Sequence, residues 1–367
     1  MNQYYMVFIW LALVGIVSAG INSKQIEIVN GRKEVRYNRI WASIIILPLI
    51  YWAGTRTYAF FDTGSYAQGF SGMPATFSGI PSFLTDVNKD KGFYLLSSLI
   101  RVIVGDNPTF YFTILAIIQA FLLFSILRKY SCNYMASVFL FVASTDYLSW
   151  MHNGIRQFTA VTIIFFATKL MLEKKYIRMI LVIIFASFFH QSALLMIPIV
   201  FITQGKAWNA STILIILAAL IAIVYVDQFT QILDQLLVDT QYTNVVSDWQ
   251  SWQDNGTNPI RVLVYSIPTI LSIIGYKYIK VEEDAVINMC VNMSIVSTGL
   301  YLVSMFTSGI FIGRLPIYVS LYANCILLPW EIEHIFEAKS SRIVYGLMVI
   351  AYLLFYYYQV HLVWGMV

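Results

Sequence analysis

Charge is what this chain has least of. Asp, Glu, Lys and Arg make up 11% of its 367 residues, less than half the roughly 25% of a soluble domain. With 59% hydrophobic residues and a mean hydropathy of +0.71, burial in a protein core does not account for the balance. The three cysteines, Cys132, Cys290 and Cys325, show no CxxC or other ligand spacing and read as reduced. There is no Walker A loop, so ATP is not the energy source, and no HExxH or paired Cys/His ligand set. Neither a metal nor a cofactor is expected. No internal repeat, low-complexity tract or soluble domain interrupts the chain, and no nucleic-acid partner is expected.

What is present is a succession of apolar runs of spanning length, about 17–22 residues each. The expected fold class is an all-α polytopic membrane protein, with about 12 crossings plus re-entrant or short half-helices. An outer-membrane barrel would instead alternate over segments of about ten residues. We expect a single transmembrane domain over 1–367, with outer loops at 55–92 and 227–259. The N-terminus, Met-Asn-Gln-Tyr-Tyr, lacks a basic n-region and a cleavage pattern, so the first span is expected to stay.

Charge placement sets the expected topology. The first span, about 3–20, leads into Lys24, Arg32, Lys33, Arg36 and Arg39, which the positive-inside rule puts in the cytoplasm. The second span, about 40–54, then carries Arg56–Tyr66 to the outer side. The piece 93–104 contains Arg101 and is too short to cross, so it reads as re-entrant or interfacial. The span 109–127 ends in Arg128 and Lys129, and spans 134–151 and 155–172 form an outward hairpin with its tip at Met151-His152-Asn153-Gly154. Residues 177–203 are apolar yet flanked by Arg178 and Lys206, both expected inside. Two half-spans meeting at His190 satisfy that parity and put His190 in an outward cavity.

Span 210–226 precedes the loop 227–259, which holds Asp227, Asp234, Asp239, Asp248 and Asp254 but no Lys or Arg. Trp249 and Trp252 suggest an interfacial part. Spans at 260–280, 285–306, 312–330 and 342–361 complete the chain, with Lys277, Lys280, Lys339 and Arg342 inside. Glu282-Glu283-Asp284 reads as the cap of the helix that follows.

The outer cations are then Arg56, Lys89, Lys91, Arg101, Arg156, Arg261 and Arg314. Arg156 and Arg314 lie near outer span ends, where a charge is costly unless paired or facing a cavity. Taken singly such arginines snorkel to headgroups as often as not. Here they accompany Asp62, Tyr66 and His190. Asp62 and Tyr66 share a face if 60–68 is helical, and His152/Arg156 and Arg314/Tyr318 stand one turn apart. Asp146 is placed to neutralise an arginine. Since the guanidinium fork suits phosphate and carboxylate, the group reads as a receptor for an anionic lipid-linked headgroup. The ordinary alternative is a hydrated loop with an incidental ion pair.

The order Arg56…Asp62…Tyr66, Asn153-Gly-Ile-Arg156-Gln157, Phe-Phe-His190-Gln-Ser192-Ala, Gly-Arg314…Tyr318 resembles the EpsG/Wzy-type polysaccharide polymerase family, from about residue 40 to 330. The resemblance implies a GT-C-like, multi-spanning glycosyltransferase of the bacterial inner membrane. Such an enzyme joins oligosaccharide repeat units carried on undecaprenyl pyrophosphate at the outer face. Its partners would be the lipid-linked donor and acceptor, membrane lipids and a chain-length regulator protein. On that reading Arg156, Arg314 and Arg56 stabilise charge on the leaving pyrophosphate. Asp62 or His190 accepts the acceptor-hydroxyl proton, and Tyr66, Gln157 and Tyr318 orient sugar or phosphate. No outer Asp-x-Asp is present, which favours a metal-free reaction. A flippase or transporter of lipid-linked glycans and another polyprenyl-linked transferase remain as alternatives.

Overall fold

Asparagines start many of the helices. In the computed structural model, which describes residues 2–29, 31–236 and 254–365, the side chains of Asn38, Asn107, Asn133, Asn209 and Asn258 each accept a backbone N–H from the first helical turn. Each satisfies a donor that an apolar helix cannot otherwise pair. Asp284 does the same for Val286 at 2.7 Å, as its position after two glutamates suggested.

The described residues form two compact units, 1–195 with 342–367, and 196–341. The first unit begins with α1 (Asn2–Ala19), then β1 (Lys24–Val29) and β2 (Arg32–Tyr37), an antiparallel hairpin pairing Ile26 with Val35. Next come α2 (Arg39–Gly54), α3 (Thr63–Ser71), α4 (Ile80–Asp86), α5 (Lys91–Val104) and α6 (Pro108–Tyr130). The expected outward hairpin is broken into α7 (Tyr134–Ala143), α8 (Asp146–His152), α9 (Ile155–Phe166) and α10 (Thr168–Leu172). Thr145 between α7 and α8 has φ +68°, incompatible with a continuous helix. Helix α11 (Tyr176–Ser187) ends just before His190, and a 3-10 turn begins at Gln191, so the break falls where parity required one.

The second unit contains α12 (Met196–Ile202), α13 (Ala210–Val224), α14 (Val226–Leu236), α15 (Pro259–Ile274), α16 (Tyr276–Glu282) and α17 (Ala285–Met305). A chain of short turns over 312–335 includes α18 (Ile317–Tyr322) and α19 (Leu328–Ile335), with a π turn at Ala323–Leu327 between them. The most apolar 18-residue window of this stretch is 94% buried inside the protein. Helix α20 (Ala338–Tyr357) returns the chain to the first unit.

Apart from the hairpin, the regular elements among the described residues are all helical. Among the described residues four helices are long and apolar enough to cross a membrane, or six if the pairs α13/α14 (bent 106°) and α15/α16 (bent 71°) each count as one. Six further apolar helices have 10–17 residues, short of the roughly 20 that a straight span needs. The protein is thus a helical membrane protein. The expected interfacial position of Trp249 and Trp252, with Asp239 and Asp248, lies outside the described residues.

Candidate functional site

A close approach of two loops builds the centre of the site in the first unit. The N–H of Gly92 donates to the Phe188 carbonyl at 2.8 Å, and a Cβ on Gly92 would stand 2.9 Å from Phe188 Cβ and 3.1 Å from its carbonyl carbon. Only glycine allows this contact. It staples the start of α5 to the break after α11, beside His190.

Asp90, two residues earlier, takes the left-handed conformation (φ +56°) ahead of α5. Its side chain is 2% exposed, and Oδ2 accepts from Arg156 Nη1 at 2.7 Å. The backbone N–H of Gln191 also acts on this carboxylate, while Oδ1 is buried without a partner. Burial raises the Asp90 carboxyl above its ordinary value, against the opposing pull of Arg156 and Lys89.

Arg156 stands on the first turn of α9, just after the tight passage at Gly154. A Cβ there would lie 2.0 Å from the Trp150 ring, so this glycine lets α8 hand over to α9 at short range. The Tyr66 hydroxyl, from α3, hydrogen-bonds Arg156. Burial raises the Tyr66 phenol, with Arg156 opposing, so Tyr66 stays a neutral donor at physiological pH. Tyr94 on α5 faces the same guanidinium electrostatically.

Arg56 is an electrostatic neighbour of Tyr66 and is 8% exposed. It donates to the Met151 carbonyl at 3.1 Å and stacks 3.9 Å over the Phe112 ring. Its electrostatic neighbours are the tyrosines Tyr4, Tyr111 and Tyr66, and no carboxylate pairs with it among the described residues. Burial pulls the guanidinium down to about 10, still charged at neutral pH. A buried cation with an unpartnered Nε is an incomplete electrostatic arrangement.

The other expected residues are placed as follows. Asp62 is exposed at the start of α3, with Tyr66 one turn on through the Tyr66 N–H to Asp62 carbonyl bond; its carboxylate acts electrostatically on Tyr66. His190 is half-buried, with Nδ1 2.7 Å from Ser192 Oγ. Gln157 is 4% exposed on α9. His152 is fully buried; Nδ1 donates to the Leu148 carbonyl at 2.7 Å, which leaves Nε2 to accept from the Tyr4 hydroxyl. That arrangement is a structural neutral imidazole.

Arg314 and Tyr318 belong to the second unit. Arg314 is exposed on a 3-10 turn, Ile312–Arg314, and Tyr318 is 1% exposed on α18. Their turn is fixed by Asp254, a buried carboxylate accepting from Ser308 Oγ at 2.8 Å and from the N–H groups of Gly256, Gly309 and Ile310 at 2.9–3.1 Å. The first unit thus brings together Arg56, Tyr66 and Arg156 with Asp90 and Tyr94, which sequence reasoning had not singled out. Asp90 was hidden between Lys89 and Lys91. The signal for it was an aspartate followed by Lys-Gly at the start of an apolar helix, the N-cap position of a helix start, although its side chain turns to Arg156 instead of capping α5.

Comparison with curated proteins returns no match, and comparison with solved structures returns none. The EpsG family model matches residues 39–365, so the chain belongs to the EpsG family.

Proposed function

From EpsG-family membership as premise, we propose that this protein is the membrane polymerase of a bacterial polysaccharide. It joins oligosaccharide units carried on undecaprenyl pyrophosphate at the outer face of the inner membrane, within a GT-C-like fold of about a dozen crossings. The observation that carries the reading is the Asp90–Arg156–Tyr66 node, in which only Asp90 is fully enclosed, together with an enclosed Arg56 that pairs with no carboxylate among the described residues. It offers an acid-base group and two guanidinium groups on one unit.

In the proposed step, the acceptor sugar hydroxyl attacks the anomeric carbon of the donor. The C–O bond to pyrophosphate breaks as the new glycosidic bond forms. The proton passes to a carboxylate, and undecaprenyl pyrophosphate leaves with the bonding pair. Asp90 is the favoured proton acceptor, because it is buried against Arg156 with one oxygen free, whereas Asp62 is exposed. Arg156 and Arg56 stabilise the charge gathering on the leaving group, and being preorganised they need no reorientation. Tyr66 holds Arg156 and is placed to donate to phosphate. His190 and Gln157 are proposed as orienting groups of this node, and Arg314 and Tyr318 of the second unit as sugar- or phosphate-binding residues.

Deleting the gene and sizing the surface glycan tests this reading. A polymerase defect leaves single repeat units on the surface. Complete absence of surface units, with lipid-linked units held inside the cell, would instead indicate a flippase.

A further inference from the structure

The first unit carries a cavity remote from this site. Phe112, beneath Arg56, and Arg128 are both on α6, roughly 24 Å apart at 1.5 Å per residue. Around the Arg128 end a groove of about 720 Å³ opens between β1, α2, α6 and the α9–α10 segment. This is the volume of a typical small-ligand site.

Its lining divides into two zones. Phe121, Phe124 and Phe166 make an aromatic wall, with Phe121 and Phe166 largely exposed. At the rim stand Arg39, Arg128, Lys129 and Lys169 against one acid, Glu27. Arg128 is used up: it pairs with Glu27 and donates through Nε to the Tyr37 carbonyl at 2.6 Å, which locks the hairpin. The other three cations are only partly compensated: Arg39 acts electrostatically on Glu27, which Arg128 already holds, and Lys169 shares Glu173 with Lys175. Arg39 is exposed and has no ion pair among the described residues. Among the described residues Lys129 has no ion pair and stands 5.0 Å from the Tyr130 ring. Lys169 lies 3.4 Å from Glu173, which Lys175 holds more closely at 2.6 Å. The hydroxyls of Ser43, Ser125 and Tyr134 are turned to backbone carbonyls. The groove therefore has positive charge at its rim and hydrocarbon along its wall.

We propose that this groove binds an anionic phospholipid, its phosphate held by Arg39, Lys129 and Lys169 and an acyl chain lying on the phenylalanine wall. A soluble phosphate would match the rim but leave the aromatic wall uncovered, whereas a phospholipid satisfies both zones. The hairpin and the basic connections put the groove at the leaflet that charge placement makes cytoplasmic. It is thus a second lipid site, facing the leaflet opposite the proposed reaction.

The test uses the purified full chain in phosphatidylcholine nanodiscs, with phosphatidylglycerol titrated in. Bound lipid is read by native mass spectrometry and the melting temperature is followed in parallel. We expect saturable retention of phosphatidylglycerol and a rise in melting temperature. Arg39→Gln combined with Lys169→Gln should weaken that binding about fivefold per cation removed. Ser43→Trp, which fills the groove without changing charge, should block it. Lys206→Gln with Lys280→Gln, basic residues of the other unit, should leave binding unchanged. Melting temperatures in pure phosphatidylcholine establish that each variant folds. Equal loss in the Lys206/Lys280 variant, full binding by folded Ser43→Trp, or displacement of the lipid by millimolar inorganic phosphate would each overturn the proposal.

Discussion

Asp90 Oδ2 and Arg156 Nη1 stand 2.7 Å apart, joining the loop before α5 to the first turn of α9. The pair is asymmetric: Asp90 is almost wholly enclosed, while Arg156 keeps 28% of its side chain open. An incoming anion therefore reaches the guanidinium without displacing the carboxylate. Arg156→Ala should reduce chain extension by about 10²–10³-fold, the usual loss for one preorganised donor. Arg156→Lys should recover little, because an ammonium cannot serve Asp90, Tyr66 and a phosphate in one plane. Glycan length distributions from complemented deletion strains provide the readout.

Asp90→Asn should abolish extension, whereas Asp62→Asn should leave most of it. Equal sensitivity of the two would return Asp62 to the role of proton acceptor. Both variants are compared at equal membrane abundance, since losing the Arg156 partner also exposes a half-open cation to an incomplete environment.

The pH dependence follows from the raised Asp90 carboxyl. A base must be ionised, so acidification removes activity through a pKa above the ordinary carboxylate value of about 3.9. Stability moves the other way. The folded state binds this proton more tightly than the unfolded chain, so the group favours folding at low pH, and that contribution is lost as pH rises through the folded pKa. Activity in membranes should therefore decline on acidification, at a higher pH than an ordinary carboxylate would give, while the melting temperature does not fall from this cause. Asp90→Asn removes the stability component.

Arg56 gives the converse case. It is enclosed, charged and without a carboxylate, so its desolvation opposes folding. Arg56→Met keeps much of the packing over Phe112 and removes that charge. The variant should melt at or above the native temperature and yet lose chain extension. A lower melting temperature together with native activity would remove Arg56 from the site.

Much of the architecture could be read from runs of apolar residues. Helices α6 and α17 are long, continuous and close to their expected limits, and the break at His190 follows from the parity of Arg178 and Lys206. The hairpin was missed because Lys24–Tyr37 was read for its charge. Its pattern, Lys-Gln-Ile-Glu-Ile-Val then Arg-Lys-Glu-Val-Arg-Tyr about Asn30-Gly31, is an alternating strand signal with a hairpin turn. Spans 134–151 and 155–172 were read as whole because hydropathy does not register a positive φ at Thr145. Arg56, Tyr66 and Arg156 were found by residue type and membrane side. Asp90 depended on a three-dimensional staple at Gly92, which no periodicity encodes.

Asp254 is a buried carboxylate with a definite consequence. Its two oxygens take the Ser308 hydroxyl and three backbone N–H groups, closing the turn that leads from α17 to Arg314. The neighbouring chains pass too closely for side chains: a Cβ on Gly256 would lie 2.5 Å from the Met305 carbonyl, and one on Gly309 2.8 Å from Gly256. Asp254→Ala leaves all four donors unpaired in this tight space. Hydrogen bonds to a charged group contribute about 1.5–3 kcal/mol each, so a loss of at least about 3 kcal/mol is expected even after water enters. Asp254→Asn keeps one acceptor oxygen and should fall between. Hydrogen exchange over 304–314 should accelerate in the order native, Asn, Ala, because the amides of Gly309 and Ile310 are the ones released. Unchanged exchange in the Ala variant would show that the glycine contacts alone hold the turn.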